Sequence, residues 1–175
     1  LDSCAGGGGK SLHLAALMKN KGKIFALDPD PNKLEQLHKR ALRNGVSNIQ
    51  ILTTGNKEFY LRYKGEIDAV LIDAPCSGLG VIRRNPAIKW HMNPKKIIEL
   101  EELQKDILNK NAPLVKKGGV MVYATCSIFP NENELQIADF MNSKEGEAFE
   151  LIKDQTFLAN ESGFDGFYIA KLKKT

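Results

Sequence analysis

Short apolar runs alternate with segments of helical periodicity along the whole chain, the pattern of an open, mostly parallel, doubly wound α/β sheet. Leu1-Asp2-Ser3 reads as the end of a strand. A helix is expected from Ser11 to Asn20, then a buried strand Ile24 to Leu27 ending at Asp28. Pro31 suits the first turn of a second helix running to Asn44, with Leu34, Leu37, Ala41 and Leu42 at helical spacing and Gly45 as its stop. Strands follow at Ile49 to Leu52 and at Ile67 to Ile72, the latter ending at Asp73. Ala74 to Pro94 reads as irregular, and Pro94 to Val115 as a long helix. Lys116-Lys117-Gly118-Gly119 is expected to turn the chain into a strand, Val120 to Ala124. Asn131 to Asn142 is expected to be helical, with acidic residues near its start where the macrodipole favours them. Phe149 to Ile152 and Phe167 to Leu172 form a last strand pair, the final strand antiparallel and at an edge.

This organisation implies one domain over residues 1–175, without repeats or linkers. The chain opens without methionine, so a fragment is expected, lacking an upstream strand half and a whole domain before it. With 42% hydrophobic residues in 175, it can bury a core without staples. Three widely spaced cysteines and no C-x-x-C pair support neither a disulfide scaffold nor a thiolate zinc site. His13, His38 and His91 lack metal-ligand spacing, so no metal is expected. No apolar run reaches the ~20 residues that span a bilayer, and no signal peptide opens the chain. A reducing, cytoplasmic setting and a monomer are expected. The net charge of +4 leans toward a polyanionic partner.

Cys4-Ala5-Gly6-Gly7-Gly8-Gly9-Lys10-Ser11 lies between a strand and a helix, where glycines let backbone amides approach a ligand. A nucleoside-triphosphate loop would need glycine at Cys4, and a dinucleotide fingerprint would need it at Ser11; both fail on spacing. An adenosine-bearing ligand without a phosphate, S-adenosylmethionine above all, fits the loop. Asp28 at the next strand end is placed to take the ribose hydroxyls. The bland alternative is a tight turn, with Asp28 capping the following helix.

Asp73-Ala74-Pro75-Cys76-Ser77-Gly78 and Tyr123-Ala124-Thr125-Cys126-Ser127 each follow a strand. Adjacent parallel strands lie ~4.8 Å apart, so both thiols can flank one planar ring, and the glycine loop is expected at the same crevice. A thiolate adding to carbon 6 of cytosine makes carbon 5 nucleophilic toward a methyl donor. An acid near N3 and a base for the C5 proton complete the chemistry. Cys76, Cys126 and Asp73 are the candidates, against a reading of the cysteines as core filler. From Ala74 to Ile98 there is no acid, while Arg83, Arg84, Lys89, Lys95 and Lys96 surround Trp90 and His91. Such a stretch suits a single-stranded nucleic acid, with phosphates neutralised and a base stacked. The alternative is a solvated basic face with Trp90 plugged onto the core.

Together these segments resemble the RNA cytosine-5 methyltransferases of the RsmB/Nop2/Sun group. The family loop C-A-x-P-G-G-K-[ST] is similar to Cys4–Ser11, D-A-P-C-S-x-x-G to Asp73–Gly80, and R-R-x-P-D-I-K-W to Arg83–Trp90. T-C-S with P-x-E-N-E is matched by Thr125 to Glu134, and D-G-F-[FY] by Asp165 to Tyr168. The resemblance implies a Rossmann-like class I fold dependent on S-adenosylmethionine, with ribosomal RNA as substrate and transfer RNA as the alternative. It implies Cys126 as nucleophile, Cys76 assisting product release, and Asp73 at N3 and near the cofactor. Asp28 would hold the ribose, Cys4 to Lys10 the methionine part, and Arg83, Arg84, Lys89 and Trp90 the RNA. Gly7 stands in place of the family's proline and Ala87 in place of an aspartate. Asn56 replaces the aspartate for the adenine amino group, and its oxygen can accept that bond. A non-catalytic RNA-binding module and a nicotinamide-dependent oxidoreductase remain competing readings, the second without its fingerprint.

Overall fold

The computed structural model describes the backbone of residues 1–175 and all side chains except those of 161 and 162. It resolves into two compact units, Leu1–Lys64 and Gly65–Thr175.

In the first unit the opening residues run alongside a strand. Asp2 bridges Ala26 in parallel, donating its N–H to the Phe25 carbonyl and accepting from the N–H of Leu27, each at 2.8 Å. Helix α1 spans Gly9–Leu17, starting two residues earlier than expected because Gly8, at φ 85°, caps it as only glycine does cheaply. It stops before Asn20 because Lys19 and Asn20 are left-handed. Strand β1, Ile24–Asp28, is buried at every position and pairs in parallel with β2, Ile49–Thr53. Between them lies α2, Pro31–Arg43, with Leu34, Leu37 and Ala41 inward. Leu42 was expected on that face but is 65% exposed, one helical step past Ala41. A short helix absent from the periodicity, α3 at Lys57–Arg62, is capped by Asn56 and packs Phe59 and Tyr63 on Phe25.

The second unit holds a four-stranded sheet. Strand β3, Ile67–Asp73, ends where the sequence predicts. The stretch after it is only partly irregular, with a tight 3-10 turn at Leu79–Val81 and one helical turn, α4, at Ile88–His91. Helix α5 runs Pro94–Asn111, started by Asn93 accepting the Lys96 N–H at 2.9 Å and ended short of Val115 at a 3-10 turn containing Pro113. Strand β4, Val115–Thr125, absorbs the Lys-Lys-Gly-Gly segment as a bulge rather than a preceding turn. Ile67 pairs with Val115 and Ala69 with Val120, so three extra residues loop out around Gly118 at φ 75°. A 3-10 turn at Pro130–Glu132 precedes α6, Glu134–Met141, where a helix from Asn131 was expected.

Strands β5, Phe149–Phe157, and β6, Phe167–Lys174, form the expected antiparallel pair. The sheet order is β3-β4-β6-β5, with β3 and β4 parallel and β6 antiparallel to both neighbours. The last strand is therefore interior and β5 is the edge, opposite to the expectation. Alternation explains it: Tyr168, Ala170 and Leu172 are buried, while β5 between its ends is exposed throughout.

Candidate active site: a glycine loop and a thiol pair

In the first unit the Cys4–Ser11 segment links the opening strand residues to α1. Gly6 and Gly8 are left-handed, at φ 52° and 85°, and a Cβ on Gly8 would fall 2.6 Å from Leu37 Cγ. Above the loop the situation reverses. A Cβ on Gly6 or Gly9 would meet open space, leaving a backbone surface free for a ligand. Asp28 is buried at the end of β1, where its Oδ2 accepts the N–H of Gly6 and its Oδ1 that of Asp30, both at 2.9 Å. The cap of α2 is Asp30, not Asp28, so the bland alternative for Asp28 fails. Asn56 Oδ1 accepts the Phe59 N–H at 3.0 Å, which occupies one of its two lone pairs. Ser11 faces inward, donating to buried Asp2 at 2.6 Å, a brace under the loop that its motif position did not reveal. Lys10 lies in the exposed first turn of α1, and Cys4 is half-buried. These glycines and Asp28 fit an adenosine ligand.

In the second unit the parallel register sets Asp73 beside Ala124, and the Ala74 N–H donates to the Ala124 carbonyl at 2.8 Å. Both chains thus leave the sheet at one edge, and the loops that follow bring Cys76 Sγ to 3.3 Å from Cys126 Sγ. Both thiols are free and partly buried. They share one hydrogen bond and therefore titrate as a pair. Donation from Cys76 is the largest influence on Cys126 and draws it down to about 7, against burial and the nearby negative charge of Asp73. The same bond, with burial, pushes Cys76 strongly upward. Of the two, Cys126 is the sulfur that ionises more readily, with Cys76 as the thiol that donates to it.

Beneath the pair sits a residue that sequence reasoning passed over. Glu132 is fully buried and accepts from Ser77 and Ser127, the residues that follow the two cysteines. Its place in P-N-E-N-E was the only signal.

The basic stretch leaves from the same loop. Arg84 Nε pairs with Asp165 at 2.5 Å, and Arg83 approaches the same carboxylate at 3.9 Å, so both arginines are tethered to the D-G-F segment. Lys89 Nζ lies 5.0 Å from the Trp90 ring centre. Trp90 is 78% exposed and plugs no core. Among the described residues no His, Cys, Asp and Glu group is arranged to hold a metal ion, and no helix is long and apolar enough to cross a membrane.

A family model described as 16S rRNA methyltransferase RsmB/F matches residues 1–173. The "Probable ribosomal RNA small subunit methyltransferase B" of Synechocystis sp. is 39% identical over 188 residues, covering 99% of this chain and 42% of that protein. The crystal structure of PH0851 superposes with a TM-score of 0.91 at 36% identity, covering 99% of this chain and 42% of that one. The structure of NSun6 from Pyrococcus horikoshii with SFG, an analogue of S-adenosylmethionine, has a TM-score of 0.86 at 29% identity, covering 99% and 47%. The chain spans about two fifths of the length of the curated relatives it matches. The shared architecture is the Rossmann-like class I methyltransferase fold.

Proposed function

The chain belongs to the RsmB/F family of 16S rRNA methyltransferases, and on that premise we propose that it methylates carbon 5 of a cytosine in ribosomal RNA through a covalent Cys126–C6 adduct. The observation that carries this reading is the thiol pair, two sulfurs 3.3 Å apart with Cys126 drawn down to about 7. A cysteine held as thiolate near neutral pH is the nucleophile that addition to a pyrimidine ring requires.

Cys126 Sγ forms a bond to C6, and the C5–C6 π electrons shift so that C5 becomes nucleophilic. As the π electrons reach N3, Asp73 at the end of β3 gives a proton to that nitrogen and takes it back when the ring double bond re-forms. S-adenosylmethionine, when bound by the Cys4–Lys10 loop with Asp28 at its ribose and Asn56 at its adenine, supplies the electrophilic methyl group. Cys76 then acts at the other end of the adduct. Once Cys126 carries the ring, it no longer accepts the Cys76 hydrogen bond that held the Cys76 proton in place. Cys76 then gives up its proton to solvent, and the resulting thiolate removes the C5 proton. The C5–H electrons re-form the ring double bond, and the C6–S bond breaks to return Cys126 as thiolate. Lys89, Trp90, Arg83 and Arg84 hold the RNA strand in this reading, by phosphate pairing and base stacking. The free thiols fit a reducing, cytoplasmic compartment.

The test is a Cys76→Ala variant mixed with S-adenosylmethionine and ribosomal RNA and run on a denaturing gel. The expected result is a covalent protein–RNA band that vanishes when Cys126 is also replaced. Methylation by Cys126→Ala at the wild-type rate would overturn the assignment.

A further inference from the structure

We propose that Glu132 is a positioning residue that sets the approach of the two thiols by clamping the residue that follows each. Its Oε1 accepts the Ser77 N–H at 2.7 Å and Gln104 Nε2–H at 3.0 Å. Its Oε2 accepts the Ser77 hydroxyl at 2.5 Å and the Ser127 hydroxyl. Ser77 follows Cys76 and Ser127 follows Cys126, so one fully buried carboxylate joins two loops 50 residues apart in sequence. The two serine oxygens lie 3.0 Å from each other because both hydroxyls converge on the same Oε2.

The carboxylate is itself braced. Gln104 Nε2 uses its second hydrogen on the Pro75 carbonyl at 2.9 Å, one residue before Cys76. Tyr123 donates its hydroxyl to the Glu132 carbonyl at 2.7 Å. Asn133 accepts from Thr125 at 2.5 Å and donates to the Ser127 carbonyl at 3.1 Å, closing the loop around Cys126. Four donors converging on one side chain demand an acceptor with no hydrogens of its own. Glutamine would set an NH2 group against two of them, and buried donors left without partners are costly.

The inference rests on Cys76 and Cys126 acting as a pair, and its test uses neither RNA nor a methyl donor. The groups that bear on the Cys126 thiol are Cys76, Asp73 and Glu132. Two effects of Glu132→Gln oppose each other. Loss of the Glu132 charge alone eases thiolate formation at Cys126, whereas a loosened clamp lengthens the Cys76-to-Cys126 hydrogen bond, the largest influence on that thiol. Clamping therefore predicts an upward shift. The pH dependence of Cys126 alkylation by iodoacetamide, followed by peptide mass spectrometry, should move up in Glu132→Gln. At pH 7 the rate should fall about fivefold, the loss of thiolate when a group titrating near 7 titrates one unit higher. In a Cys76→Ala background the same substitution should produce no upward shift.

A profile that stays in place or moves down in folded Glu132→Gln would overturn the clamp. Should that variant not fold, Ser127→Ala removes one arm and carries the same test: a smaller upward shift, absent without Cys76, supports the clamp, and no shift rejects it. Failure of RNA methylation would leave this result standing, and the reverse holds too.

Discussion

The N–H of Gly166 donates to the Gly80 carbonyl at 2.8 Å, and a Cβ on Gly80 would lie 2.2 Å from the Gly166 carbonyl oxygen. The Gly80 N–H in turn donates to the Cys126 carbonyl at 2.9 Å. Three segments far apart in sequence cross at this point, and glycine is what lets them. At the crossing itself, backbone hydrogen bonds through Gly80 join the loop after Cys76, the Cys126 carbonyl and the D-G-F segment.

Gly80→Ala should therefore force the backbone apart at the crossing. Overpacking of this kind costs about 1–3 kcal/mol. A urea unfolding curve with an unchanged midpoint would contradict the close approach.

The thiol pair makes a pH prediction with a definite sign. Cys126 titrates below the ordinary thiol range because Cys76 donates to it. Its thiolate is present above pH 7 and is lost as pH falls through that value. Iodoacetamide alkylation of Cys126 should rise with a midpoint near 7. Cys76→Ala removes the donor, so the midpoint should move up and alkylation at pH 7 should slow. Peptide mapping separates Cys126 from Cys4 and Cys76.

Asp28 accepts one backbone N–H on each carboxylate oxygen. Asp28→Asn sets an amide NH2 against one of these donors, at Gly6 or at Asp30. Leaving a buried donor unpaired costs about 1–3 kcal/mol. Chemical denaturation should show that loss, and calorimetry should show weaker S-adenosylmethionine binding.

Gly7 stands where the family carries proline, and its φ is not left-handed. A Cβ there would make ordinary contact, 3.6 Å from Arg40 Nη1 and from Gln36 Oε1. Gly7→Ala should stabilise by roughly 0.4–1 kcal/mol, chiefly by restricting the unfolded chain. A lower melting temperature in scanning calorimetry would refute this. Gly8→Ala should do the opposite, because its Cβ meets Leu37.

Trp90 is exposed, so Trp90→Ala should leave the unfolding midpoint where it is. If the indole stacks a base, RNA affinity should fall by the equivalent of about 1–3 kcal/mol. Fluorescence anisotropy with a single-stranded RNA reads this directly, and unchanged affinity would remove Trp90 from the RNA surface.

Much of this molecule is local enough to be read from sequence. The run Ile67–Asp73 is mostly apolar and ends at a carboxylate, so strand and strand end are visible without neighbours. Pro31 and Gly45 bracket α2 because each acts on its own backbone. The adjacency of Asp73, Cys76 and Cys126 was also legible, since parallel neighbours deliver their following loops to one edge. What depends on distant partners was not. Leu42 has the right residue type, but a one-step difference in helical angle decides its exposure. Lys57–Arg62 is too short to show a period, and the bulge at Gly118 exists only in register with β3. The antiparallel sense of β6 follows from its pairing with β5, while its interior position depends on β4 accepting it. Glu132 is the sharpest case. In sequence it is one acid in a polar turn, and only the folding of Ser77, Ser127 and Gln104 around it turns a solvated charge into a buried clamp. Periodicity and turn chemistry are properties of neighbouring residues and are written in order along the chain. Burial, hydrogen-bond closure and the thiol–thiol approach are properties of pairs, and tertiary structure alone decides which pairs meet.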